Sequence, residues 1–492
     1  MIPNNNGKHN HKRLFRFILS IIITGFVVML NLGMRCDSVK DDTQVFSKSD
    51  SAWAQVKTIL EKIIPPKFPD RDFNIIDYGA VADGKTLCTK AFENTVDACS
   101  QAGGGRVVIP PGVFLTGAIR LKNNVNLFIS EGAVVKFSTD PKDYLPVVLA
   151  RWEGVDLMNY SPLIYAYGKE NIAVTGKGLL DGQGDNNHWW PWKGKKEFGT
   201  IDKSKTQDDS LSRPRLMKMN DENIPVEKRI FGEGTYLRPT FVEFYKCRNI
   251  LIEGVTFKDA PLWFIHPVLS SNITVNEVTI NGLGPNNDGC DPESSSDILI
   301  KNCTFNNGDD CIAIKSGRNG DGRRINIPST NIVIRNCKMK DGHGGVVIGS
   351  EITGGCSNVF AEDCEMDSPN LERALRIKSN SKRGGVIKNI YMRNVKVGQV
   401  KDAVVKINML YDPEEAEGYN YKPVCENVVV QNVTSQKSKY GIFLDGLVGS
   451  EIKNITIEDC EFNGVQERSY IKNVRGLKLK NVYINGKIQD EK

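Results

Sequence analysis

The chain has 492 residues, 40% of them apolar and 25% charged, with 45 glycines and a formal net charge of +5. Lys8, Lys12, Arg13, Arg16 and Arg35 fall in the first 35 residues, which hold no acid, and these five account for the whole surplus. The remaining body is neutral, without the clustered basic face that nucleic-acid binding requires, and its glycine content suggests many turns and short strands.

In chain order, a basic segment (His11, Lys12, Arg13, Arg16) precedes an uncharged apolar run over residues 17–34. This is the shape of a secretory signal, so residues 1–36 are expected to be a leader. Its length also permits an uncleaved membrane anchor. Cys36 is a candidate lipidation site, although Arg35 stands where a lipoprotein signal carries a small residue. The chain is therefore expected to be exported to the periplasm, cell surface or extracellular space, with membrane attachment through the leader or Cys36 left open. Residues 37–70 read as a linker with a short helix. Trp53, Val56, Leu60 and Ile63 share one helical face, and Pro65 and Pro66 stop it.

Residues 74–80 read as a strand and turn, and residues 89–101 as a second amphipathic helix ended by Gly103, Gly104 and Gly105. Strands follow at residues 106–109, 113–115 and 125–129. Trp189, Trp190 and Trp192 then cluster around Pro191. They either stack on sugar rings or cap the fold with their own packing. Residues 202–240 are rich in Lys, Arg, Asp and Ser and read as a long surface loop, either shaping a cleft or simply solvated.

From residue 249 the chain repeats a unit of Asn-Ile-x-Ile, a polar pair, then Val or Cys. It starts at Asn249, Asn272, Asp297, Asn331, Asn358, Asn389, Asn427 and Asn454. The spacing is that of a solenoid, and units of short alternating strands without helices specify a parallel β-helix. The expected fold is all-β: one right-handed parallel β-helix over residues 71–492, preceded by the short helical segment. Asn suits the turn because it tolerates left-handed φ and can stack amide on amide. Twelve cysteines in an exported chain could form disulfides. However, Cys303, Cys337, Cys364 and Cys460 recur at one phase of the repeat, which favours a buried stack of small apolar side chains. No spacing resembles a zinc site.

Four polar clusters punctuate residues 286–378: Asn286-Asn287-Asp288-Gly289, Gly308-Asp309-Asp310, Gly342-His343-Gly344 and Arg376-Ile377-Lys378. They fall about one repeat apart, so stacked coils would align them in a strip on one face. Each motif alone is a common turn sequence; their joint occurrence at one repeat phase favours a site. Carboxylates held close repel, which raises at least one pKa and divides them into acid and base. Asp309 and Asp310 are adjacent and should face apart on extended backbone. His343 can orient and tune the acid. Arg376 and Lys378, two apart on a strand, point the same way and match a carboxylate on a ligand. The residues suggest hydrolysis of a sugar polymer that carries carboxylates.

On these four motifs the chain resembles the polygalacturonase family of glycoside hydrolases, which are inverting, pectin-degrading, right-handed parallel β-helix enzymes. The likeness runs from about residue 73 to the C-terminus, with Asn287 where many members have Thr. The resemblance implies Asp309 as general acid, Asp288 and Asp310 activating the attacking water, and His343 supporting the acid. It implies that Asn286, Arg376, Lys378 and Tyr411 contact the substrate, a pectic polysaccharide or oligogalacturonide, with no metal and no cofactor. Inverting enzymes hold acid and base carboxyls ~6.5–9.5 Å apart. Arg376 and Lys378 favour galacturonate on both sides of the bond. Residues 151–154, 189–192 and 202–240 look like insertions that close one end of a cleft, which favours exo action. The rival readings are a pectin or polyuronate lyase and a non-catalytic carbohydrate-binding β-helix.

Overall fold

The computed structural model describes residues 48–489. The leader and Cys36 lie outside the described residues.

Successive coils stack in register, as the repeat requires. Ile172, Ile250, Ile273, Ile298, Ile332, Val359, Ile390, Val428 and Ile455 pair one above another through parallel strands. A second parallel sheet carries Ile312, Val346, Leu375, Val405 and Ile442 in the same manner. The inward side chains of both sheets form one continuous buried core. Each buried Ile or Val contributes ~1.5–3 kcal/mol, and alternation along the strand puts every second residue outside.

Asparagine fixes the turns. Asn249, Asn272, Asp297, Asn331, Asn358, Asn389, Asn427 and Asn454 all have positive φ. The Nδ2 of Asn358 donates to Asn331 Oδ1 at 3.1 Å, Asn389 to Asn358 at 3.0 Å and Asn427 to Asn389 at 2.7 Å. The cysteines of the described residues are free and buried, Cys303, Cys337, Cys364 and Cys460 among them. Their thiols fill the core and donate to nearby carbonyls, as Cys303 Sγ does to Lys301 at 3.1 Å.

The two expected helices form. Helix α1, Lys48–Lys62, lays Trp53, Val56, Ile59 and Ile63 against Val333, Phe360, Tyr391 and Val429, outward-facing residues of four coils. The Arg393 guanidinium lies 3.8 Å from the Trp53 ring centre. Helix α2, Thr89–Gln101, covers the first coils with Phe92, Val96 and Cys99 buried. Among the described residues no helix is long and apolar enough to cross a membrane.

Two readings left open by the sequence are decided. Residues 202–240 are not a plain solvated loop. They include a helix, Arg213–Asp221, and bury Leu216, Phe231 and Leu237 against Trp152, Leu157 and Trp263. The buried side of the antiparallel hairpin Val148–Trp152 and Val155–Asn159 supplies Trp152 and Leu157. The tryptophan cluster caps rather than presents: Trp189 is 3% exposed and meets Tyr144 and Trp192 edge to face. Trp190 Nε1 donates to the Ala260 carbonyl at 3.0 Å, which ties that indole to the scaffold.

Candidate active site

The four clusters converge because each coil delivers one of them to the same edge of the second sheet. Cys290 bridges to Ile312, which pairs with Val346, which pairs with Leu375. Asp288 precedes the first of these positions, Asp309 and Asp310 the second, and His343 the third. Arg376 and Lys378 lie within the fourth strand, Arg373–Lys378, and reach back across two coils. They line a cleft of about 430 Å³ together with Asn286, Tyr411, Lys315, Glu351 and Glu153.

Asp309 and Asp310, expected to face apart, both turn into the cleft: Asp309 lies in a bend rather than a strand, and an oxygen of each carboxylate lies within 4.8 Å of the other. Asp309 Oδ1 meets His343 Nδ1 at 2.8 Å and accepts from the Asp310 backbone N–H at 3.0 Å. Its Oδ2 faces the Asn286 amide nitrogen at 3.5 Å. Asp310 accepts from Lys378 Nζ at 2.8 Å and from Arg376 at 3.3 Å. Asp288 is almost wholly buried, with Lys315 Nζ 3.5 Å from Oδ2, and Oδ1 has no hydrogen-bond partner. Tyr411 lies under both cations, its ring centre 5.7 Å from the Arg376 guanidinium and 5.4 Å from Lys378 Nζ. All eight residues singled out in the sequence thus come together.

The carboxylates are closer than expected. One oxygen from each of Asp288, Asp309 and Asp310 lies within 4.8 Å of the others. The wide carboxyl gap of inverting enzymes is therefore not reproduced by these oxygens. Such a trio could in principle hold a cation. Here Lys378 and Arg376 on Asp310, Lys315 beside Asp288 and His343 on Asp309 already balance the three charges, so a metal would add positive charge to a neutralised site.

Environment separates the three acids. Burial, with Asp291 and Asp309 nearby, raises Asp288 well above the usual carboxylate range. Burial also pushes Asp310 up, but Lys378 and Arg376 outweigh it and hold it low. For Asp309 burial is outweighed by the hydrogen bond and charge of His343, which hold it below the carboxylate range. The family resemblance implied Asp309 as the protonated member. The proton sits instead on His343, whose imidazole the bond to Asp309 raises from 6.5 to about 9. The pair carries one proton between them.

This has a consequence for stability. A raised His contributes fully below its unfolded value of 6.5 and loses that contribution as pH rises through about 9. A lowered Asp contributes above its ordinary 3.8 and loses that contribution only in stronger acid. The melting-temperature difference between the protein and its His343→Gln variant should therefore be flat from pH 5 to 6.5 and shrink towards zero near pH 9. A difference that grows with alkalinity would contradict the pair. The imidazole is 48% exposed, so the effect should be modest.

Sequence reading missed the charges that support the trio. Lys315 contacts Asp288 and Glu351, at 3.5 and 3.3 Å, and lies 4.4 Å from the Trp263 ring centre. A signal existed: Ala313-Ile314-Lys315-Ser316 matches Arg376-Ile377-Lys378-Ser379 at the same strand position two coils away. Beside it, Arg318 bonds Glu153 and Glu415, both at 2.9 Å, and Arg383 bonds Glu415 at 2.7 Å. Burial pushes Glu415 up, but Arg318 and Arg383 prevail and hold it at about 2. The hairpin turn at Gly154 feeds Glu153 into this network. Its φ is +82°, and a Cβ there would stand 2.8 Å from the Arg318 backbone nitrogen, so only glycine fits.

A family model described as glycosyl hydrolases family 28 matches residues 227–482. A probable polygalacturonase of Vitis vinifera is 30% identical over 406 residues, which span 78% of this chain and 74% of that protein. An exo-poly-alpha-D-galacturonosidase of Dickeya chrysanthemi is 30% identical over 387 residues, 73% of this chain and 62% of that protein. Among solved structures, that of a hyperthermoactive exopolygalacturonase from Thermotoga maritima superimposes with a TM-score of 0.86 at 44% identity. It covers 89% of this chain and 97% of that one.

Proposed function

Because the chain belongs to family 28 of the glycosyl hydrolases, we propose that it hydrolyses the α-1,4 bonds of polygalacturonate from a chain end, with inversion. The observation that supports this reading is the aspartate trio beside a cation pair. An acid with a proton partner, Asp309 with His343, stands within 4.8 Å of two further carboxylates, and Arg376 and Lys378 flank them.

A uronate next to the scissile bond takes Arg376 and Lys378. Lys378 is one of the cations that hold Asp309 low, so engaging it with a second anion raises Asp309. His343 then releases its Nε2 proton to solvent and keeps Nδ1–H on Asp309 Oδ1, while Oδ2 takes up a proton from solvent. Because Oδ1 is occupied by His343 and the Asp310 amide, Oδ2 faces the leaving group and protonates the glycosidic oxygen as the C–O bond breaks. Water adds to the anomeric carbon. Asp310, kept ionised by Lys378 and Arg376, takes the proton from the water and passes it to solvent, and Asp288, whose surroundings favour its protonated form, orients that water. Solvent returns a proton to the Asp309–His343 pair.

Glu153, Lys193, Phe198 and Arg213, all from segments that interrupt the coil repeat, wall the cleft. This wall supports exo action, because a chain running through would meet it. With purified protein on polygalacturonate, galacturonic acid should be the first and dominant product, with a slow fall in viscosity. A rapid viscosity drop with mixed oligomers would contradict exo action, and an ultraviolet-absorbing unsaturated product would contradict hydrolysis. Export to the cell surface or beyond fits a polymeric pectic substrate and follows from the leader-shaped N-terminus.

A further inference from the structure

The cations of the cleft are spoken for, with one exception. Lys315, Arg318, Arg376, Lys378, Arg383 and Arg213 each have a carboxylate within ion-pair distance, and Lys195 reaches Glu197 at 3.7 Å. Lys193 lines the same cleft and is paired with no acid among the described residues. Its ammonium makes one hydrogen bond, 2.9 Å to Asn286 Oδ1. The same oxygen accepts from the buried Arg238 guanidinium at 2.9 Å, so the amide has little left to offer Lys193. Burial lowers the Lys193 pKa and outweighs the pull of Glu153 and Asp309, neither of which comes within ion-pair distance of the ammonium.

The position is informative. Asn286 lies on the coil before Asp309, and its nitrogen faces Asp309 Oδ2 at 3.5 Å. Arg376 and Lys378 lie two coils beyond Asp309. Lys193 and the Arg376–Lys378 pair therefore bracket the acid along the direction in which coils stack.

We propose that Lys193 binds the carboxylate of the galacturonate on the closed side of the scissile bond, opposite the one held by Arg376 and Lys378. This deepens the exo-hydrolase reading and rests on it. Each sugar flanking the bond then has its own cation, and the enzyme selects for charge at the residue it releases.

The test uses Lys193→Met and Lys193→Arg on digalacturonate and its two monomethyl esters. A charge-assisted contact is worth about 10- to 100-fold in kcat/KM. Lys193→Met should lose that factor on digalacturonate and on the ester of one residue. It should match the unmodified enzyme on the other ester, whose esterified residue is the one Lys193 would hold. Lys193→Arg should keep the unmodified pattern. Equal losses on all three substrates would mean that Lys193 only positions Asn286, and no loss would mean that it binds nothing; either overturns the proposal. If the unmodified enzyme turns over none of them, the hydrolase reading fails. Lys193 is then judged by equilibrium binding of the same three ligands, where the same pattern is required.

Discussion

Asp309→Asn should lower kcat about a thousandfold, within the range that general acid catalysis supplies. The amide keeps the shape of the side chain, and its oxygen can still accept from the Asp310 N–H, but its nitrogen then faces the Asn286 amide nitrogen as a second donor, and it cannot deliver a proton to the leaving group. KM should change little, because Arg376, Lys378 and Tyr411 are untouched. Stability should also hold. The lost ion pair includes a half-exposed imidazole, and such pairs contribute at most ~1 kcal/mol. The informative control is binding: the variant should retain oligogalacturonide affinity measured by calorimetry. Turnover within tenfold of the unmodified protein would remove Asp309 from the acid role and move attention to Asp288, whose surroundings favour the proton.

The second large effect is at Lys378, where function and stability are joined. Lys378 Nζ is 2.8 Å from Asp310 Oδ2, and both side chains are nearly buried. Lys378→Met would leave Asp310 with Arg376 alone, at 3.3 Å. Breaking a buried pair from one side costs ~3–5 kcal/mol, so the melting temperature should fall. On polygalacturonate, kcat/KM should drop by about a hundredfold or more, because the substrate carboxylate loses a donor and Asp310 loses its orientation. The two causes can be separated with substrate. Methyl esterification removes the anion, so the penalty on a fully esterified oligomer should be clearly smaller than on the acid. Equal penalties would show that Lys378 acts only through Asp310.

Much of this was legible because the solenoid writes its structure locally. Asn331, Asn358, Asn389 and Asn427 announce their turns in sequence and take them in space. The four clusters announce a site because the coil spacing turns distance along the chain into height on one face. What was not legible depends on contacts that no local pattern records. Leu216, Phe231 and Leu237 are spaced without helical or strand period among charged residues, so their segment looked like loop. They are buried against Trp152 and Trp263, which come from other parts of the chain. The indoles of Trp189 and Trp190 fitted a sugar platform and a cap equally well, and only their packing shows the cap. The protonation order was hidden too. Sequence proximity showed that the acids repel, but not that His343 would draw the proton from Asp309 or that burial, with Asp291 close by, would raise Asp288. Lys193 stayed unread because its meaning is that, among the described residues, no acid comes within ion-pair distance of a buried ammonium, which only the fold shows.

The close approach of the carboxylates makes stereochemistry the sharpest question. Oxygens within 4.8 Å of one another suit a retaining pair as readily as a shared water, in a family whose resemblance implies inversion. Asp288 and Asp310 act on the water rather than on the sugar. Proton NMR of the first turnovers, taken before mutarotation, should show β-galacturonic acid released from the α-linked substrate. Release of the α-anomer would mean that a carboxylate attacks carbon directly, and would contradict the account at its centre.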